Sequence, residues 1–137
     1  MNNTLLQKID FAEIGRNTPA SKIAIAKANL SLKNARLPTL PTEFSELLEH
    51  YNGLSHDGAV LFGLEENTQF FPNMLAYNSM IFKNKAADFL ILGYDEFFYL
   101  IYDKVDSLYK LVDKDDFQED VTSENLEYPL CKLMRID

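Results

Sequence analysis

Residues 88–113 read DFLILGYDEFFYLIYDKVDSLYKLVD and contain three apolar runs in close succession: Asp88–Gly93, Phe97–Tyr102 and Leu108–Val112. Each has the length and the aliphatic and aromatic content of a strand. The linkers Tyr94–Glu96 and Asp103–Ser107 are long enough for hairpins and too short for a parallel crossover. The segment therefore predicts an antiparallel meander. The first two runs are apolar at odd and even positions alike, so both faces of those strands are expected to be buried and helices to cover at least one side of the sheet. The fold class that follows is α+β.

Working outward toward the N-terminus, Ser21–Leu37 is expected to be helical. Ile23, Leu30 and Leu37 form one stripe and Ile25 and Leu32 a second, which together suggest a helix buried on two sides. Leu37-Pro38 and Leu40-Pro41 then force an extended link, because the residue before a proline is driven out of the helical region. Thr42 is placed to cap the next helix, with Glu43 and Glu46 in its first turn. Phe44, Leu47, Leu48 and Tyr51 follow at helical spacing. The stretch HYNGLSHDG, residues 50–58, contains both histidines. Its first half reads as a helix terminator with Gly53 at the left-handed position after the last turn, and its second half as a turn before the short strand Ala59–Gly63. Beyond it, Asn67–Pro72 is expected to be extended and Asn73–Lys85 helical with poor periodicity. A helix over Asn125–Arg135 requires Pro129 to sit in its first turn. No repeat, low-complexity tract or linker interrupts the chain, so residues 1–137 are expected to form one domain with a sheet of about four or more strands.

With 137 residues, 47% of them hydrophobic, the chain can bury a substantial core. Cys131 is the single cysteine, which rules out an internal disulfide or a cysteine-based metal cluster. The opening MNNTLLQKIDFAEIG lacks a basic region leading into an apolar one, and no window approaches a membrane span. A cytoplasmic location without membrane association is the expectation. His50, His56 and Asp57 are possible zinc ligands by type, but the histidines are six apart across a helix end and no third ligand cluster accompanies them. Counting Asp113 as position 1 puts Asp115 and Glu124 at positions 3 and 12 of a calcium loop, yet Phe117 and Gln118 occupy positions 5 and 6, where an oxygen ligand and glycine are needed. Nucleophile elbows and phosphate-cradling glycine loops are absent from the sequence, and Cys131 lies in an apolar stretch suited to packing. Lys22, Lys33 and Arg36 fall near one helical face without interleaved aromatics, so nucleic acid is not an expected partner. No enzymatic activity, cofactor or metal is expected.

Charge is distributed unevenly along the chain, whose net value is −8. Residues 1–36 sum to +4, whereas residues 95–127 sum to −8. Asp95 and Glu96 fall in one strand connection, and Asp113, Asp115, Asp116, Glu119 and Asp120 follow the third strand of the meander. In an antiparallel meander the first connection and the exit from the third strand lie at the same end of the sheet. These seven residues are expected to converge into an acidic patch that binds a basic protein partner.

The order of elements, together with Leu40-Pro41, Phe44, Leu47-Leu48, Tyr51-Asn52-Gly53 and Phe89–Gly93 followed by Phe97–Asp103, resembles the SUKH superfamily, the group of yeast cell-wall synthesis regulators and their bacterial relatives. The resemblance covers roughly residues 20 to 113 and within the superfamily is nearest to the YrhA-type branch. It implies an α+β domain without catalytic residues. In bacteria such domains serve chiefly as immunity proteins that neutralise a secreted or contact-delivered toxin, frequently a nuclease. The alternative it leaves open is a cytoplasmic regulator or adaptor with an endogenous partner.

Overall fold

The computed structural model describes residues 3–64 and 73–136; the expected extended segment Asn67–Pro72 lies outside the described residues. The three runs of the meander form β4 (Phe89–Tyr94), β5 (Phe98–Asp103) and β6 (Leu108–Asp113), preceded by β1 (Gly15–Arg16), β2 (Leu54–His56) and β3 (Ala59–Leu61) and followed by β7 (Glu119–Ser123). All seven pair antiparallel in sequence order, so every strand is hydrogen-bonded to its neighbour in the chain. Among the described residues five helices accompany them: α1 (Asn3–Phe11), α2 (Lys22–Asn34), α3 (Thr42–Leu48), α4 (Met74–Ile81) and α5 (Glu127–Met134). The chain is a single α+β domain.

The central strand explains the layering. Leu90, Ile91 and Leu92 are fully buried, so β4 is covered on both faces. On one face, Phe89, Tyr94 and Tyr99 meet the rings of Phe82 and Tyr77 from α4 and its C-terminal turn. On the other, Tyr109 reaches the N-terminal backbone of α3 at Phe44. Beside α3 lies α5, whose Leu126 N–H donates to Glu43 Oε1 at 3.2 Å. Pro129 is the third residue of α5, in the first turn where its missing N–H costs nothing.

At β4 the ladder changes chemistry. β3 pairs only with Gly93 and Tyr94, which leaves the earlier part of β4 without a strand on that side. Asn78 of α4 fills the position: its side-chain amide donates to Ile91 O at 2.8 Å and its Oδ1 accepts from Ile91 N–H at 2.8 Å. A single side chain thus supplies both hydrogen bonds that a strand residue would supply, and it also donates to Met74 O within its own helix.

Several local expectations are corrected. Ile23 and Leu30 are 70% and 60% exposed, so of the first stripe only Leu37, beyond the helix, is buried; Leu32 faces inward with Ala24 and Ala28, and Ile25 is partly buried. Small residues at Ala24 and Ala28 let the helix approach its neighbours on that side. Thr42 is the first helical residue of α3; the cap position belongs to Pro41, which makes no side-chain cap bond. That helix also ends at Leu48, and the following turn is closed by Tyr51 N–H donating to Leu47 O at 2.8 Å. Gly53 does have a positive φ of 110°, but in the connection to β2 and not as a helix terminator. The second half of HYNGLSHDG is a hairpin: Asp57 and Gly58, at φ 50° and 83°, form the two-residue turn between β2 and β3. Phe97 belongs to the β4–β5 turn and not to the strand.

Asn52 is the pivot of that stretch. It is fully buried, its Oδ1 accepts from Leu64 N–H at 2.7 Å, and its backbone bonds Thr18 O and the Asn17 amide. Gly63 packs so closely that a Cβ there would stand 2.3 Å from Asn52 O.

Two stability measurements check this account. Asn78→Ala orphans both backbone groups of Ile91 and is expected to cost about 3 kcal/mol in urea unfolding. Gly53→Ala is expected to cost about 1 kcal/mol or more, because alanine is strained at positive φ. A loss below half of either figure would contradict the role assigned to that residue.

Candidate functional site

The turns at one end of a meander alternate with those at the other, and this places the β2–β3, β4–β5 and β6–β7 turns together. The two acidic turns are in direct contact: Lys114 N–H donates to Phe97 O at 2.9 Å and Lys114 Nζ to Asp95 O at 2.9 Å. Asp95, Glu96, Asp113, Asp115 and Asp116 therefore share one end of the sheet. Lys114 is folded back under them, its ammonium 4.7 Å from the centre of the Tyr94 ring and 5.5 Å from that of Tyr99.

Several of these carboxylates also build the turns that carry them. Asp95 Oδ1 accepts from the N–H groups of Phe97 and Phe98, Asp113 Oδ1 from Asp115 N–H, and Asp116 Oδ1 from Gln118 N–H. Such side-chain-to-backbone bonds hold a turn without strand ladders. Glu96 and Asp115 are exposed, and their carboxylates take no part in these turn bonds. At the tip stands Phe97, 57% exposed.

Glu119 and Asp120 do not join this group. Glu119 pairs with Lys110 at 3.3 Å, in a cluster where the same ammonium meets Asp103 at 3.0 Å and Asp106 at 2.7 Å. Asp120 is the extra residue of a bulge in β7 and pairs with Lys132 of α5 at 3.3 Å. Five of the seven residues thus lie in the two contacting turns, while Glu119 and Asp120, at the start of β7, are paired with lysines. The cause is local: once β7 begins, alternation and the bulge send successive side chains in different directions. β7 also carries Glu124 toward the opposite end of the sheet from Asp113, so the two ends of the calcium-loop spacing separate.

What the linear reading missed at this end is Phe97 and Lys114. Phe97 looked like the first residue of an apolar run, and nothing in the spacing distinguished a turn tip from a strand. Also at this end, Asp57 of the β2–β3 turn is held by Arg135 at 3.1 Å.

The two histidines are placed apart from any ligand set. His50 is exposed beside Tyr51, with ring centres 6.3 Å apart, and His56 ends β2. Among the described residues, no three His, Cys, Asp or Glu side chains are grouped to hold a metal ion. Tyr51 donates its hydroxyl to Asp10, which also accepts from Arg16 at 2.5 Å. These contacts tie α1 and β1 to the end of α3. They also hold the Asp10 carboxyl below its usual range, the Tyr51 hydrogen bond contributing most and Arg16 next. Among the described residues, no helix is long and apolar enough to cross a membrane.

Around Lys110 the electrostatics bear on stability. The Lys110 side chain is only 6% exposed, and hydrogen bonding to Asp106, then to Asp103 and Glu119, raises its pKa against the opposing effect of burial. At Asp103, burial pushes the pKa up but is outweighed by Lys110 and by the N–H groups of Val105 and Asp106, so the carboxyl titrates below its ordinary value. A depressed carboxylate pKa contributes stability that is present above the unfolded-state value of about 4 and lost as pH falls through the folded value. A raised lysine pKa acts in the opposite sense, contributing below about 10 and failing as pH rises through the folded value. Lys110→Met is therefore expected to destabilise the fold by about 2 kcal/mol near neutral pH. It should also reduce the loss of stability on acidification below about pH 4. Urea unfolding of both proteins across that range tests it, and parallel pH profiles would refute it.

Comparison with protein-family models and with curated proteins finds no match to this chain.

Proposed function

We propose that this chain is a non-catalytic protein-binding domain of the SUKH type, acting as an immunity protein that neutralises a cognate toxin, with a basic nuclease as the fitting class of toxin. The observation that carries the reading is the meeting of two acidic turns around an exposed aromatic tip. Asp95, Glu96, Asp113, Asp115 and Asp116 project one sign of charge from the end of a rigid sheet, and Phe97 stands among them. An aromatic anchor within a charged rim is the anatomy of an interface that gains affinity at its centre and speed and selectivity at its edge. Nucleases bind polyanions and so tend to carry basic surfaces, which this end complements.

The residues behind the SUKH resemblance lend support through their places in the fold. Phe44, Leu47 and Leu48 are fully buried on α3, Asn52-Gly53 forms the junction to β2, and Phe89–Gly93 is the central strand. These are framework positions, as expected when relatives share an architecture and differ in their binding surfaces.

The test asks whether a toxin gene adjoins this protein's gene and, with its product in hand, measures protection and binding; the lack of such a neighbour would favour a regulator or adaptor. Wild type should protect cells from that toxin and bind it rapidly at low salt. Glu96→Lys with Asp115→Lys should lower the association rate at least tenfold at low ionic strength and much less at high, with an unchanged melting temperature, since neither side chain holds its turn. An unchanged rate would place the binding face elsewhere. Failure of the wild type to protect or to bind would overturn the immunity reading itself.

A further inference from the structure

The outer face of α2 carries two large apolar side chains on one helical stripe. Ile23 and Leu30 project from it, 70% and 60% exposed, with the small exposed residue Ala26 between them at helical spacing. Two turns of helix separate the large side chains by about 10 Å, so Ala26 forms the floor of a shallow notch. Lys22 and Lys33 flank this ridge on one side and Lys27 on the other, all three exposed. Lys22 has Glu49 only at the 4.0 Å limit of an ion pair. The surroundings continue the sign. Residues 14–42 contain five basic groups and no acidic one, and residues 73–87 contain two and none. These segments meet in space where Ala87 N–H donates to Arg36 O at 3.3 Å. In a chain of net charge −8, this face is positive with an apolar centre.

The acidic end of the sheet is its counterpart: negative, with Phe97 at the centre. We infer that this protein associates head to tail with a second copy of itself, Phe97 of one molecule seated between Ile23 and Leu30 of the next, and the carboxylates of Glu96, Asp115 and Asp116 facing Lys22, Lys27 and Lys33. Symmetric pairing is disfavoured on both sides, because two α2 ridges would set lysines against lysines and two sheet ends carboxylates against carboxylates. Only the heterologous contact satisfies both patches, and it leaves one ridge and one sheet end free, so the assembly can grow. An apolar notch is also a poor match for nucleic-acid phosphates, which take polar donors. Ionic strength should act in two directions. Below about 0.01 M, where the Debye length is about 30 Å, the like net charges repel. Near 0.1 M, at about 10 Å, that repulsion is screened while contact pairs persist.

Sedimentation velocity of the isolated protein tests this without any toxin, so its outcome is independent of the immunity reading. Wild type should show a sedimentation coefficient that rises with concentration near 0.1 M salt and less so near 0.01 M. Ile23→Glu with Leu30→Glu should abolish the rise, and so should Phe97→Lys with Asp115→Lys. Mixing the two variants should restore association but stop at a heterodimer, because the ridge variant retains an intact acidic end, the end variant retains an intact ridge, and neither can extend the chain. That rescue also demonstrates that both variants are folded. A wild type that stays monomeric up to millimolar concentration overturns the inference, as does a ridge variant that associates like wild type or a mixture that stays monomeric. A monomeric wild type that instead pellets with phosphatidylserine vesicles through Ile23 and Leu30 would assign the ridge to a membrane surface and equally overturn it.

Discussion

The side chain of Asn78 occupies the place of a strand. Beside β4 the short β3 runs out, and the N–H and C=O of Ile91 would face the interior unpaired if the Asn78 amide did not bond both. A helix cannot normally cover a sheet edge, since its own backbone groups are spent within it. One amide with a donor and an acceptor in the right separation solves the problem, and it does so only when α4 lies against β4 at one height and rotation. That constraint seats Tyr77 and Phe82 on the sheet and makes α4 the surface against which α2 packs. The outward direction of the α2 ridge follows from it.

The opposite face is organised by more ordinary means. α5 packs over β5 and β6, the Phe44 backbone of α3 bonds Tyr109 of β6, and Glu43 joins the two helices by accepting from Leu126 N–H. Burial raises the Glu43 pKa and that backbone bond partly offsets it. The two faces thus differ in what specifies them: a buried amide fixes register on one side, while bulk apolar packing with a rim carboxylate suffices on the other.

The acidic end of the sheet is then an outcome of parity. In a meander, alternate turns come to the same end whatever their sequences. Two turns rich in aspartate, one hairpin apart, must meet there. Aspartate is favoured in such turns for bonding the local backbone, so the charge is partly a by-product of turn building. Glu96, Asp115 and the exposed Phe97 exceed what the turns need, and it is this surplus that supports an interaction surface.

The meander, its hairpin connections, the α+β class and the convergence of Asp95 with Asp113 were all determined by the linear sequence, because they depend on short-range periodicity and on the lengths of linkers. At Asp57-Gly58 the turn was legible, since both residue types favour positive φ, but the strand Leu54–His56 that makes it a hairpin was not. Other features belong to the tertiary structure alone. Ile23 and Leu30 repeat like a buried stripe, and only the packing of Ala24, Ala28 and Leu32 decides that the other side of α2 faces the core. Glu119 and Asp120 are adjacent to the acidic turn in sequence, yet a bulge and two lysines from distant positions draw them away. Asn78 reads as an ordinary polar helix residue until Ile91 is placed beside it. Periodicity records which side chains share a face, but the choice of which face is buried, and which polar group finds a partner, is made by contacts between residues far apart in the chain.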